Sequence, residues 1–152
     1  MLDDVGAMEL ALAEAAEAPV HDDVPVGALV VHGGVVVASR HNERELAGDP
    51  TAHAEMLALR DAAIALGGWR LGGCTLYVTL EPCPMCAGAL VAARVDRVVF
   101  AAADPKAGAC GSLYNLCVDP RLNHEVTVVG GVLARDAASL LEAFFATRRG
   151  SR

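Results

Sequence analysis

Two short stretches, His53-Ala54-Glu55 and Pro82-Cys83-Pro84-Met85-Cys86, put the strongest constraint on how this chain folds. Together they carry one imidazole, two thiols and a carboxylate. That inventory suits zinc, which is closed by four protein ligands in structural sites and held by three, with water in the fourth position, in catalytic ones. A fold that uses it must bring His53 against Cys83 and Cys86. The local pattern prepares this meeting. His53 opens an expected helix over 53–66, and Cys83 and Cys86, three apart, share a face in the first turn of another over 84–93. Helix N-termini carry partial positive charge and favour thiolates. Pro84 suits the first helical position, where a missing N–H costs nothing.

The charge count points to the chemistry. Zn²⁺ with two thiolates and a neutral imidazole sums to zero, so such a site acidifies water less than an all-histidine zinc, and a nearby base matters more. Glu55, two residues from His53, is the candidate proton shuttle and not a ligand. Zinc-activated water attacks an electron-poor ring carbon bearing an amino group and leaves a carbonyl and ammonia. The expected reaction is hydrolytic deamination, with one Zn²⁺ per subunit. A closed structural zinc site is the competing reading, but C-x-x-C pairs in such sites usually find a second pair. No second C-x-x-C exists; Cys74, Cys110 and Cys117 are scattered and read as small buried hydrophobes.

At 152 residues, the chain is expected to form one domain, 1–152, with a sizeable core. No apolar stretch is long enough to span a bilayer, so no membrane association is expected. Met1-Leu2-Asp3-Asp4 places acid where a secretory signal needs Lys or Arg, and reads as the start of the mature fold. Five cysteines, an odd number with two in metal-type spacing, favour the cytoplasm over a disulfide-forming compartment. The net charge of −7 is not the footprint of a nucleic-acid binder, although a local basic patch acts within about 8 Å at physiological salt.

Periodicity predicts a helix over 2–17 with Leu2, Val5, Met8 and Leu12 on one stripe and Asp3 or Asp4 as cap. Strands are expected at 26–31 and 35–38, joined by His32-Gly33-Gly34. Met56, Leu57, Leu59 and Ile64 are the apolar positions of the helix over 53–66, which Gly67-Gly68 stops. Further strands are expected at 75–80, 98–102 and 126–129, and a closing helix at 137–148. The long connection 103–124 is of a length that is usually functional in a compact domain. Strand–helix alternation after the hairpin argues for an α/β fold, a five-stranded mixed sheet covered by helices on both faces.

The motifs extend into a family resemblance over nearly the whole chain. Val24-Pro25-Val26-Gly27-Ala28, Asn42, the segment from Asp49 to Glu55, the segment from Thr75 to Cys83, Met85–Ala89, and Phe144-Phe145 followed by Arg148-Arg149 all resemble the bacterial tRNA-specific adenosine deaminases of the zinc-dependent cytidine/deoxycytidylate deaminase superfamily. Asp104-Pro105-Lys106 with Gly108-Ala109 and Gly111-Ser112-Leu113 carries the choice of that family over related deaminases. The resemblance implies a three-layer α/β/α cytidine-deaminase-like fold with strands four and five parallel, and a homodimer. It implies adenosine-to-inosine conversion at the wobble position of a tRNA anticodon stem-loop. The flipped adenosine would be held by Asn42 and the main chain at Ala54, with Asp104 and Lys106 beside the RNA.

Each contact has an ordinary alternative. Asn42 could be a turn residue, and Asp104 could cap its own loop through an Asx turn. Lys106, Arg70, Arg148 and Arg149 could be solvated charge, and Phe144 and Phe145 core at a helix end. Two departures stand out. Some family members continue past the last helix with a lysine-rich tail, whereas this chain stops at Arg152, which predicts modest RNA affinity with a shallow salt dependence. His41 stands where the resemblance suggests an aromatic residue. The competing functions are a zinc deaminase of a free base or nucleoside (guanine, cytosine or cytidine) and a non-catalytic zinc scaffold. Glu55 argues against the scaffold.

Overall fold

The sheet forms where β-branched runs alternate between two covered faces. In the computed structural model, which describes residues 2–150 and the last two of these by backbone alone, five strands run in the order β2-β1-β3-β4-β5. The side chain of Arg149 and the chain end at Arg152 lie outside the described residues. The strands are β1 (Gly27–His32), β2 (Val35–His41), β3 (Cys74–Leu80), β4 (Arg97–Ala102) and β5 (Thr127–Gly130). β1 pairs antiparallel with β2 and with β3, whereas β3–β4 and β4–β5 are parallel. The sheet is therefore mixed, with strands four and five parallel as the resemblance implied.

The described residues also form five α-helices: α1 (Asp4–Ala15), α2 (Arg44–Ala47), α3 (Ala54–Leu66), α4 (Pro84–Ala92) and α5 (Ala134–Gly150). The period-2 alternation of the strands sorts their side chains. Leu76, Val78 and Val98 face α3 and α4, packing with Ala58, Leu59, Ala62, Ala87 and Leu90. Tyr77, Val99 and Ala101 face the opposite way, against Ala7, Met8 and Ala11 of α1 and Ala137 of α5. This is the expected α/β architecture in three layers. The short α2 and two single-turn 3₁₀ segments, Ala18–His21 and Leu116–Val118, carried no periodic signal in the sequence.

Two expected helical faces are corrected. In α1 the buried residues are Ala7, Met8, Ala11 and Ala15, while Val5 is 46% exposed. The cause is a close approach: a Cβ on Gly27 would lie 2.1 Å from the Ala11 carbonyl oxygen, so only small residues fit between helix and sheet. In α3 the buried set is Ala54, Glu55, Ala58, Leu59 and Ala62, and Ile64 is exposed. Asp3, one of the two candidate caps, accepts from Gly6 N at 2.7 Å. Asp4 instead takes a two-pronged bond from Arg97 and a hydrogen bond from Tyr77.

Candidate active site and metal centre

The two helix starts singled out in the sequence meet at one place. His53 is the N-cap of α3 and Cys83 the N-cap of α4, both with extended backbone. Neither side chain is used in capping, so both are free for other partners. Pro84 occupies the first turn of α4, and Cys86 follows on the same face as Cys83. The His53 Nδ1 lies 3.6 Å from Cys83 Sγ and 3.5 Å from Cys86 Sγ. All three donor atoms lie within 4.8 Å of one another, a group that can hold a metal ion. Among the described residues no fourth ligand-type side chain joins the group. One nitrogen and two sulfurs at this spacing fit zinc, and three protein ligands would leave one of its four preferred positions for a small molecule.

The electrostatics suit the donor set. The hydrogen bond from Cys86, helped by the His53 imidazole, pulls the Cys83 thiol down to about 4 against the opposing effect of burial. Cys86 keeps the proton it donates to Cys83 and, buried besides, is pushed well up. Holding a metal would require Cys86 to give up that proton and His53 to present a bare Nδ1. His53 is raised, first by its bond to Cys83.

Glu55 sits in the first turn of α3 and is 4% exposed. Burial pushes its carboxyl up to about 7, and the charge of Cys83 adds to this, while a backbone hydrogen bond and His53 oppose it. A carboxyl of that kind takes up and returns a proton near neutrality.

The cleft beside these groups has a volume of about 170 Å³ and is lined by Asn42, Arg44, His53, Glu55, Glu81, Cys83 and Asp104 among others. Two predicted binding groups are tied to each other here. Ala54 N donates to Asn42 Oδ1 at 2.8 Å, and Asn42 Nδ2 donates to the Val24 carbonyl at 3.1 Å. These partners define which end of the amide is which. The bonds hold Asn42 against the start of α3 and leave its second N–H available. Asp104 lines the cleft, and its Oδ1 accepts from Lys106 N and Ala107 N, an Asx-type turn within its own loop. Lys106 is exposed and is not part of the cleft lining.

Two residues were not singled out as functional from sequence. Arg44, in α2, lines the cleft and also an adjoining groove of about 270 Å³ that reaches Phe144 and Arg148. Arg148 pairs with Asp22 and lies 4.6 Å over the Phe144 ring. Glu81 is 3% exposed and accepts from Asp104 N, Cys110 N, Ser112 N and the Ser112 hydroxyl. Burial pushes the Glu81 carboxyl up, but these four donors more than offset it and hold it ionised. One carboxylate thus clasps the 104–112 segment against the metal-site loop. Gly108 is required there, since a Cβ would lie 2.4 Å from the Glu81 carboxyl. The only sequence signal for Glu81 was its place between an apolar strand and Pro82-Cys83.

Comparison with known proteins agrees with this geometry. The sequence model of the MafB19-like deaminase family matches residues 2–149. A tRNA-specific adenosine deaminase of Bacillus subtilis is 52% identical over 138 residues, covering 91% of this chain and 86% of that protein. One from Aquifex aeolicus is 46% identical, covering 91% of each. A structure solved in a study of A-to-I editing by tRNA:A34 deaminases superposes with a TM-score of 0.86 at 44% identity, covering 89% of this chain and 98% of that one. A guanine deaminase from Nitrosomonas europaea gives 0.85 at 25% identity, covering 96% and 86%. Matched by the family model over nearly all its length and 52% identical to a curated relative, the chain belongs to the MafB19-like deaminases and to the tRNA-specific adenosine deaminases.

Proposed function

We propose that the protein is a zinc-dependent hydrolase that deaminates adenosine to inosine at the wobble position of a tRNA anticodon loop. The observation that carries the reading is the convergence of His53, Cys83 and Cys86 in one cluster, with His53, Cys83 and the buried Glu55 lining one cleft. The choice of a tRNA adenosine rests on the 52% identity to a tRNA-specific adenosine deaminase.

His53 Nδ1 and the two sulfurs would hold one Zn²⁺ per subunit. When bound, zinc supplies a Lewis acid that lets water lose a proton near neutral pH. Glu55 takes that proton and passes it to the ring nitrogen next to the carbon under attack. It then takes the proton of the hydroxyl now carried by that carbon and hands it to the departing amino group, so ammonia leaves and the carbonyl of inosine remains. Asn42 orients the flipped base through its remaining N–H and fixes the start of α3. Arg44, at the mouth, offers a planar two-pronged donor to phosphate. Asp104 and Lys106 contribute through the loop that Glu81 clasps, next to the anticodon stem-loop.

The catalytic unit spans the chain, works in the cytoplasm and acts as a homodimer. No helix among the described residues is long and apolar enough to cross a membrane, and all five cysteines are free. The homodimer reading draws on an apolar groove of about 290 Å³ between α3 and α4, flanked by the exposed Trp69. Sedimentation of Trp69→Glu should then report a monomer.

The direct test incubates zinc-loaded protein with an anticodon stem-loop carrying wobble adenosine, and in parallel with free adenosine, guanine, cytosine and cytidine. Inosine in the stem-loop is the expected product. Turnover of guanine alone would favour the other deaminase class that shares this fold.

A further inference from the structure

Outside the metal centre, one group of titratable side chains is joined end to end by hydrogen bonds and has no role in the chemistry above. His21 and His41 meet nitrogen to nitrogen, with Nε2 atoms 3.1 Å apart, ring planes 30° apart and centroids separated by 5.2 Å. Each ring is held from behind by a carboxylate. His21 Nδ1 lies 2.6 Å from Asp23 Oδ2, and His41 Nδ1 lies 2.5 Å from Glu14 Oε2. Both acids are ionised. Burial pushes each up, but Asp23 is pulled back down by the Glu45 and Leu46 amides, and Glu14 by His41 and Ser39. The four groups therefore form one hydrogen-bonded row from α1, through the end of β2, to the loop before β1.

The row has a protonation requirement. A carboxylate against each Nδ1 places a proton there, so each Nε2 would present a lone pair to the other. Two lone pairs facing at hydrogen-bond distance repel, and so do two N–H groups. The arrangement is attractive only with a single cation between the rings.

The row also leads to the substrate cleft. Asp23, 2% exposed, accepts from Glu45 N at 2.9 Å and Leu46 N at 3.2 Å as well as from His21. His41 directly precedes Asn42, and Arg44 lies between Asn42 and the amides that Asp23 holds. Both Asn42 and Arg44 line the cleft. The wall segment 42–46 is thus fastened at one end through His41 and at the other through Asp23.

We propose that His21 and His41 share one proton as an imidazole–imidazolium pair and that this pair, bracketed by Glu14 and Asp23, is the positioning device for the Asn42–Arg44 wall of the nucleotide cleft. His21, His41 and Asp23 are positioning residues that act through that wall. The positioning half rests on the reading of the cleft as a nucleotide pocket. The shared proton does not.

The test uses zinc-loaded, full-length protein labelled with ¹⁵N-histidine. Long-range proton–nitrogen spectra should show both Nδ1 atoms protonated and one low-field proton shared by two Nε2 atoms. His21→Phe should remove that signal, keep one zinc per chain, and raise KM for the stem-loop about tenfold while kcat changes less than about twofold. Asp23→Asn, which retains an oxygen to accept a backbone N–H, should lose the signal and raise KM less. The dissociation constant of the stem-loop, measured by anisotropy, should follow KM.

Two ordinary neutral rings in the wild-type spectrum would overturn the proposal. So would a second equivalent of zinc that is bound by the wild type and lost in His21→Phe, since the cation between the rings would then be a metal. An unchanged KM and dissociation constant in both variants would overturn the positioning role. If the wild type failed to deaminate the stem-loop, the substrate reading would fall while the spectra still decided the pair.

Discussion

Glu55, in the first turn of α3, and Cys83, the N-cap of α4, are given different work by their surroundings. Cys83 is kept anionic by hydrogen bonds, whereas Glu55 is kept proton-competent by burial. Replacing Glu55 by Ala should lower turnover at least ~100-fold and leave zinc content at one per chain. Inosine formation and metal analysis on the same preparation check both halves, and surviving activity would remove Glu55 from the mechanism. Gly108 makes a different kind of prediction. A methyl group there meets the Glu81 carboxyl and the Asp104 carbonyl at about 2.5 Å. Gly108→Ala should therefore destabilise the protein by roughly 1–3 kcal/mol and loosen the 104–112 segment, read as faster amide hydrogen exchange at Cys110 and Ser112.

At the scale of elements, α1 shows how a helix with a weak apolar stripe is docked. Its alanines permit the close approach to Gly27, and its first turn is fastened by polar groups. Asp3 caps, while Asp4 receives the Arg97 fork and the Tyr77 hydroxyl. The Arg97 hydrogen bond holds the Asp4 carboxyl below its ordinary value, against burial, with Tyr77 helping. A carboxyl depressed in the folded state contributes stability that is complete above its unfolded value, about pH 4, and is lost as pH falls through the folded value. Asp4→Asn should then unfold at lower urea concentration than the wild type at pH 7, by about 1 kcal/mol or less given the pair's partial exposure. The difference should close as pH falls below about 4. A gap that stays constant down to that pH would assign the effect to packing.

The loop 103–124 is the other instructive element. Its length marked it as functional, but no periodicity could say how it is held. Glu81 does this from 23 to 31 residues away. Asn42 and Ala54 make the same point: both were singled out for substrate, and the fold also bonds them to each other. Arg44 stayed unseen because a four-residue helix leaves no pattern to detect.

For the molecule as a whole, metal and fold should be coupled, because the ligands bridge α3 and α4 across the sheet's end. Cys83→Ala should lose stoichiometric zinc. Chelation should lower the melting temperature of the wild type and leave that of Cys83→Ala nearly unchanged. Full zinc retention in the variant would mean another ligand set.

The sequence by itself determined the donor inventory, the two helix starts that carry it and the order of the strands and the longer helices. Those features are written in residues one to four apart, within reach of a single turn or pleat. The tertiary structure alone decided which side chains meet: the Glu81 clasp, the Asn42–Ala54 bond, and the row from Glu14 through His41 and His21 to Asp23. Each joins residues that only the sheet order brings together, and distance along the chain carries no trace of that contact.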